Sequence, residues 1–401
     1  MKNTKPFTPD HEYITKKKDS LQVLTPIVFS VFAMYMTMGI SLGALPGFIK
    51  NDLKSGNLMI GILIGLQSLA TLLTRAFAGK ITDTLGAKMS NCSGVFIVLA
   101  AGIIYIFAVS VPETPVLCLG LLISARILHG IAESMLVTGS LTWGIGLLGP
   151  QKSGKVMTWN GIAMYAGIAI GAPLSLWLTA QSGIVVPFAM IIILAGVSFI
   201  STLSLPALPV DASFVRVPFY KVIGKVSGQG LALAFSSMGF ACIASFIALL
   251  FAGNHWSHSS LGFFCFGGFH ILTRLLFASY PDKFGGYRVA LVSFAIEIVG
   301  QLCIGFSVSE WMAVAGCALT GVGFSLVFPA LGVLAIRKVA PQMRGTALGA
   351  YSAFFDLALG LAGPIAGLIA GMFNYQMIYI FGALSCFSAI LILIKTKSSD
   401  S

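Results

Sequence analysis

Three ionisable residues, Arg126, His129 and Glu133, stand three and four positions apart in an otherwise apolar stretch. At helical pitch this spacing puts them on one stripe. Ionisable side chains inside an apolar segment are costly, so they default to pairing, proton movement or ligand contact. Arginine stays charged at any accessible pH and must find an anion, either a buried carboxylate such as Glu133 or an acidic solute. A buried histidine and a buried carboxyl both titrate near neutral pH, which makes His129 and Glu133 a candidate proton site. Asp356 and Glu297 are two further acids in apolar sequence. A carboxylate at Asp356 serves equally well as a protonation switch or as a cap for a neighbouring helix, whereas Glu297 reads first as structural. His270 reads as a hydrogen-bonded packing residue. His255 and His258 flank Trp256 with no acid close in sequence, a weak metal signal, and neither a metal nor a cofactor is expected. Six aromatic residues, Tyr35, Trp143, Trp159, Tyr165, Tyr351 and Phe355, are candidates to stack on a cyclic solute or to anchor the core.

The elements that carry these residues are long apolar runs. Twelve are found, at 22–48, 58–78, 89–110, 116–137, 156–179, 184–205, 229–251, 259–279, 289–308, 311–335, 345–371 and 375–394. A helix needs about 20 apolar residues to cross ~30 Å of hydrocarbon. Runs this long without alternation are helices rather than barrel strands. Only 9% of the chain is charged and 57% is hydrophobic, against about 25% charge in a soluble domain. The fold class is therefore all-α integral membrane, with 12 transmembrane helices.

The net charge of +11 is distributed by side. Of the 24 Lys and Arg, 21 fall on the side of the two chain ends, counting Arg75 and Arg274 at helix ends; Lys50 and Lys54 lie opposite and Arg126 lies inside a span. This bias predicts cytoplasmic termini. The basic balance thus reports orientation and anionic lipid headgroups, with no nucleic-acid partner expected. The first 20 residues are polar, so no cleavable signal peptide is expected. Seven cysteines sit singly, without CxxC spacing, and read as small packing residues.

Residues 1–21 read as an N-terminal tail, 22–205 as a six-helix bundle, 206–228 as a Pro-rich then basic linker, 229–394 as a second six-helix bundle and 395–401 as a tail. The two bundles look like copies. Arg75-x7-Asp83-x2-Gly86 recurs as Arg274-x7-Asp282-x2-Gly285, an offset of 199 residues (83 to 282). Gly130, Ser134, Pro150, Gly154 and Pro173 recur as Gly321, Ser325, Pro341, Gly345 and Pro364, an offset of 191 residues (173 to 364). Duplication is the simplest account of two sets of six helices with shared punctuation.

Four motifs carry a family likeness: Gly79-x3-Asp83-x2-Gly86-x-Lys88, Arg126-x3-Gly130, Gly167-x3-Gly171-Ala172-Pro173 and Gly360-x2-Gly363-Pro364. With them, nearly the whole chain resembles the major facilitator superfamily, in which two pseudo-symmetric six-helix bundles flank a site near mid-membrane. Within it, the stretches Ala70-Thr71-Leu72-Leu73, Trp159-Asn160-Gly161, Gly323 to Val333 and Asp356-Leu357 are similar to the bacterial YhhS-like group of efflux proteins. The resemblance implies a gate at Gly79, Asp83, Gly86 and Lys88, repeated at Arg274, Asp282 and Gly285, that latches the cytoplasmic side while the outer side is open. Gly79 and Gly86 would permit a tight turn. Gly171, Pro173, Gly363 and Pro364 would kink two helices into rocking elements. Relatives usually have an apolar residue at position 129 and Gln at 133, so His129 and Glu133 depart from the pattern.

The implied function is secondary active transport: export of a small organic solute (drug, sugar or siderophore-like metabolite) against inward proton flow, by a monomer in the bacterial inner membrane. Import on the same fold is the main rival, because fold does not fix direction. A passive channel would need a filter sequence or a ring of like charges. An enzyme would need a nucleophile–histidine or metal constellation, and an ATP-driven pump a Walker sequence; the chain has neither.

Overall fold

The computed structural model describes residues 20–149, 152–208, 220–339 and 344–398. The first half contains α1 (Ser20–Asn51), α2 (Asn57–Leu85), α3 (Ala87–Val109), α4 (Pro115–Leu148), α5 (Ser153–Ser182) and α6 (Val185–Leu203). The second contains α7 (Tyr220–Gly253), α8 (Ser259–Phe277), the short α9 (Tyr280–Phe284), α10 (Gly286–Gly305), α11 (Glu310–Ser325), α12 (Val327–Arg337), α13 (Arg344–Met372) and α14 (Tyr375–Ser398). α11 and α12 form one span interrupted at Leu326. Among the described residues twelve helices are thus long and apolar enough to cross a membrane, with mean hydropathies between 1.4 and 2.5.

Both halves pack by one plan. α1 lies on α5 and α6, α2 on α4, and α3 on α4 and α6. In the second half α7 lies on α13 and α14, α8 on α11, and α10 on α11 and α14. Each of these pairs is the counterpart of a pair in the first half, as a duplication requires. Without a hydrophobic drive between helices in lipid, close packing needs small residues. A Cβ on Gly167 would meet the backbone of Phe32, Tyr35 and Met36 in α1. The halves join through α2 on α13, α5 on α8 and α1 on α7.

Several helices outrun their expected limits, because a helix need not stop where the apolar run does. α2 continues to Leu85, so Gly79 is buried inside a helix rather than in a turn. The turn falls at Gly86, whose φ is +94°, and its counterpart Gly285 has φ +84°. Only glycine adopts such angles freely, so the repeated glycines are repeated corners. α7 begins at Tyr220, so residues 220–228 of the expected linker are helical. α14 likewise carries the expected C-terminal tail on as helix to Ser398. The rest of the N-terminal tail (1–19), linker residues 209–219, Pro150, Pro341 and the last three residues lie outside the described residues.

Candidate functional site

The stripe on α4 is buried but does not act as one unit. Arg126 donates from Nε to the Leu63 carbonyl at 2.8 Å and from Nη2 to the Ile64 carbonyl at 2.7 Å. It therefore clamps α4 to α2 and makes no ion pair with Glu133, against expectation. Glu133 instead accepts from Tyr35 Oη at 2.9 Å, Gln67 Nε2 at 2.9 Å and Thr71 Oγ1 at 3.2 Å. Among the described residues no cation holds the carboxylate; Tyr35 and Gln67 each give it a proton, and the single Thr71 proton is shared with the nearer carbonyls of Gln67 and Gly130, at 3.0 and 3.1 Å. His129 does not touch Glu133 either. Its Nε2 lies 2.9 Å from Thr37 Oγ1, and that hydroxyl donates to the Met34 carbonyl at 2.6 Å. A hydroxyl has one proton to give, so Thr37 accepts from the imidazole and His129 is the Nε2–H tautomer. The expected His129–Glu133 proton pair is thus replaced by separate contacts to α1 and α2.

Because Arg126 holds two carbonyls of α2, Arg126→Ala is expected to loosen the α2–α4 contact and to lower the thermal midpoint of the purified protein. A buried charged hydrogen-bond donor contributes about 1.5–3 kcal/mol per bond. Glu133→Gln, which can still bond Tyr35 and Thr71, should leave the midpoint near wild type; equal losses in the two variants would contradict these separate roles.

Asp356 was open between switch and cap, and the geometry pairs it across the molecule. Arg75 of α2 donates from Nη2 to Asp356 Oδ1 at 2.9 Å and from Nε to Oδ2, a fork joining the two halves. Arg75 is not at the end of its helix but well inside it. Glu133 and Tyr35 lie within electrostatic reach of both members of this pair. Tyr35, Gln67, Thr71, Glu133, Arg75 and Asp356 thus form one polar patch that runs from α4 through α1 and α2 to α13. Gln67, Thr71 and the partner role of Arg75 were not singled out in the sequence. The recurrence of Arg75 as Arg274 was the signal available.

From this patch toward the face opposite the termini, α2 and α13 meet backbone to backbone. A Cβ on Gly363 would meet the Gly61 carbonyl group, and one on Gly367 would meet Asn57 and Leu58. Tyr375 Oη donates to Asn57 Oδ1 at 3.2 Å at the far end. Pro173 and Pro364 lie inside α5 and α13, while Gly171 packs against the α1 backbone at Met36 and Ile40.

The Gly79–Lys88 motif lies beyond the patch, on the face of the termini. Lys88 Nζ donates to the carbonyls of Leu203 and Leu205, capping α6, and sits 5.9 Å over the Trp143 ring. Asp83 occupies the last turn of α2, and Asp282 the first turn of α9. Arg274 donates from Nη2 to the Ser325 carbonyl at 2.8 Å, beside the break between α11 and α12.

Elsewhere, Glu297 accepts from Ser236 Oγ at 2.5 Å within the second half, in keeping with a structural acid. His270 corrects its expectation. Neither ring nitrogen has a hydrogen-bond partner among the described residues, and the ring lies 3.7 Å from that of Tyr165. His258 does have an acid, since folding brings Glu310 Oε1 to 3.0 Å of its Nδ1. Of the remaining aromatics, Trp143 Nε1 donates to the Pro206 carbonyl and Tyr351 to that of Phe328, so both act as core anchors.

Comparison with known proteins agrees with this architecture. The family model described as Major Facilitator Superfamily matches residues 27–218 and 230–401. An uncharacterized MFS-type transporter of Pseudomonas aeruginosa (strain UCBPP-PA14) is 39% identical over 388 residues, covering 96% of each chain. One from Salmonella typhimurium is 39% identical over 354 residues, covering 88% of this chain and 91% of the relative. Among solved structures, a D-xylose-proton symporter superposes with a TM-score of 0.76 at 16% identity, over 93% of this chain and 96% of its own. The human organic anion transporter MFSD10 superposes with a TM-score of 0.70 at 14% identity, over 94% and 100%. Repeated six-span halves, shared corner glycines, the family match and relatives of this identity lead to one assignment: the chain is a multi-pass membrane protein of the Major Facilitator Superfamily, a transporter of the secondary kind.

Proposed function

We propose that this transporter exports a small organic solute from the bacterial cytoplasm in exchange for protons, in the manner of the YhhS-like efflux group. The observation that carries the reading is the placement of Glu133. It is a buried carboxylate held by donors from two helices and in electrostatic reach of the ion pair that joins the halves. Ionised, Glu133 can only accept; protonated, one of its oxygens becomes a donor, so the Tyr35 or Thr71 hydroxyl must turn to accept from it and send its own proton elsewhere. Protonation also removes one negative charge beside Arg75 and Asp356. Both effects bear on the helices that join the halves, which is where alternating access needs them.

The positive-inside bias supports cytoplasmic termini. The tightly packed face of α2 and α13 is then extracellular, and Arg75 and Arg274 lie toward the cytoplasmic side. The gate residues Asp83, Lys88 and Asp282 sit at that side, where they would latch it once the outer face opens. The proteins of like fold are named for substrates as different as D-xylose and organic anions, so they leave the solute open.

The test is flux in proteoliposomes under an imposed pH gradient. Export predicts that an inward proton gradient drives solute outward; import predicts inward movement under the same gradient, and solute equilibration indifferent to the gradient would overturn coupling. Glu133→Gln should still bind and equilibrate solute but lose gradient-driven accumulation. Unchanged accumulation in Glu133→Gln would remove Glu133 as proton carrier and leave Asp356 as the candidate.

A further inference from the structure

The internal duplication pairs Arg75 with Arg274 and Asp356 with Tyr165, by the offsets of 199 and 191 residues. In one half-interface Arg75 of α2 forks onto Asp356 of α13. In the other, Arg274 of α8 reaches α5 at the equivalent place and finds no carboxylate. A Cβ on Gly161 would meet its Nη1, and Tyr165 stands where symmetry would put an acid. Among the described residues its hydrogen bond goes to the Ser325 carbonyl alone, with no ion pair. Among the same residues Arg126 also lacks an anion, but its Nε and Nη2 both hold carbonyls; Arg274 gives one such bond, so most of its donors are left for a ligand.

A second observation points the same way. His270 lies one turn before Arg274 on the same face of α8. It is buried, and both its nitrogens lack partners among the described residues. Its ring sits in a cluster of flat apolar surfaces: Tyr165 at 3.7 Å, Phe324 at 5.9 Å and Phe266 at 6.0 Å, with Phe240 stacked on both phenylalanines. These rings come from α5, α7, α8 and α11, so the cluster spans both halves at the middle of the bundle.

We infer that Arg274 and His270, with the ring cluster beside them, form the solute site, and that the solute is an organic anion: a carboxylate carried on a flat ring. The carboxylate takes the Arg274 fork, which matches it bidentately, and accepts a hydrogen bond from a ring N–H of His270. The ring of the solute packs where Tyr165 now covers the imidazole. Arg75 is unsuited to this role because Asp356 already occupies it. The inference rests on the reading that solute binds between the halves, and not on direction or proton coupling.

The experiment is equilibrium binding to the purified full-length chain in detergent, by calorimetry and thermal shift. The probes are phenyl, naphthyl and indole rings, each presented as carboxylate, amide and amine. In at least one ring series the carboxylate should bind about tenfold or more tighter than its amide, with the amine weakest. Arg274→Gln should erase the difference and Arg274→Lys keep part of it. Tyr165→Asp installs the carboxylate that Asp356 supplies in the other half; it also removes one ring of the site, so every probe should bind more weakly, but the carboxylate should lose about tenfold or more beyond what its amide loses. No carboxylate preference in any ring series overturns the inference. So does a preference that survives Arg274→Gln or Tyr165→Asp in protein with a wild-type thermal midpoint. No gradient enters this assay, so failure of proton-coupled export in liposomes and failure of the anion site give separate results.

Discussion

Gly363→Val is expected to reduce transport more than tenfold while leaving the protein folded, whereas Gly371→Val on the same helix should be nearly silent. At Gly363 the neighbours of an added side chain are backbone atoms of Gly61 and Gly65, which cannot swing aside. At Gly371 nothing lies within contact distance. Inserting methyl groups into a tight contact costs about 1–3 kcal/mol. Here the cost falls on one conformation only, the one in which α2 and α13 close the face opposite the termini. A difference of that size between two states shifts their ratio by about fivefold to about 150-fold, and the near-contact with backbone atoms puts Gly363→Val toward the upper end. The check is labelling of a cysteine at Asn57 by a membrane-impermeant reagent, because Asn57 sits at the far end of the same contact and bonds Tyr375. Labelling should rise in Gly363→Val and stay low in Gly371→Val. Wild-type flux with unchanged labelling would show that alternation does not run through this contact.

The elements of the fold were legible because membrane burial writes itself into composition. Twelve apolar runs and two matching corners at Gly86 and Gly285 survive any uncertainty about helix ends. Partner choice was not legible. Arg126 and Glu133 share a stripe, but seven residues place them about 10 Å apart along the axis, beyond direct contact. The carbonyls of Leu63 and Ile64 come within reach because Gly130 lets α4 lie against the α2 backbone at Gln67. Nothing in the local pattern announces that approach. Asp356 and Arg75 are 281 residues apart, so their pairing is a property of how the halves dock. The duplication contains the hint, since Arg75 and Arg274 recur while the acid opposite them does not.

Exchange of the charges in the Arg75–Asp356 pair has the other large expected effect, and the single variants should differ from each other. Asp356 is only 4% exposed at its side chain, whereas Arg75 is 27% exposed. Arg75→Ala therefore strands a buried carboxylate, and breaking a buried pair from one side costs about 3–5 kcal/mol. Asp356→Asn leaves an arginine that water partly reaches, so its cost should be smaller, toward the exposed-pair range of about 1 kcal/mol. Both single variants should lower flux, Arg75→Ala by much more than about tenfold and Asp356→Asn by about fivefold, because each weakens the joint between α2 and α13 that must re-form in every cycle. The double variant Arg75→Asp with Asp356→Arg should recover part of the loss, with a coupling of about 0.5–3 kcal/mol in the thermal and transport cycles. Strictly additive losses would mean that the two residues act independently and that the fork is incidental. Recovery of stability without recovery of gradient-driven flux would be equally informative. It would assign the pair to holding the halves together, and it would place the charge that Glu133 must sense at Arg75 or Asp356 specifically, since the swap preserves the bond but reverses which charge lies on α2.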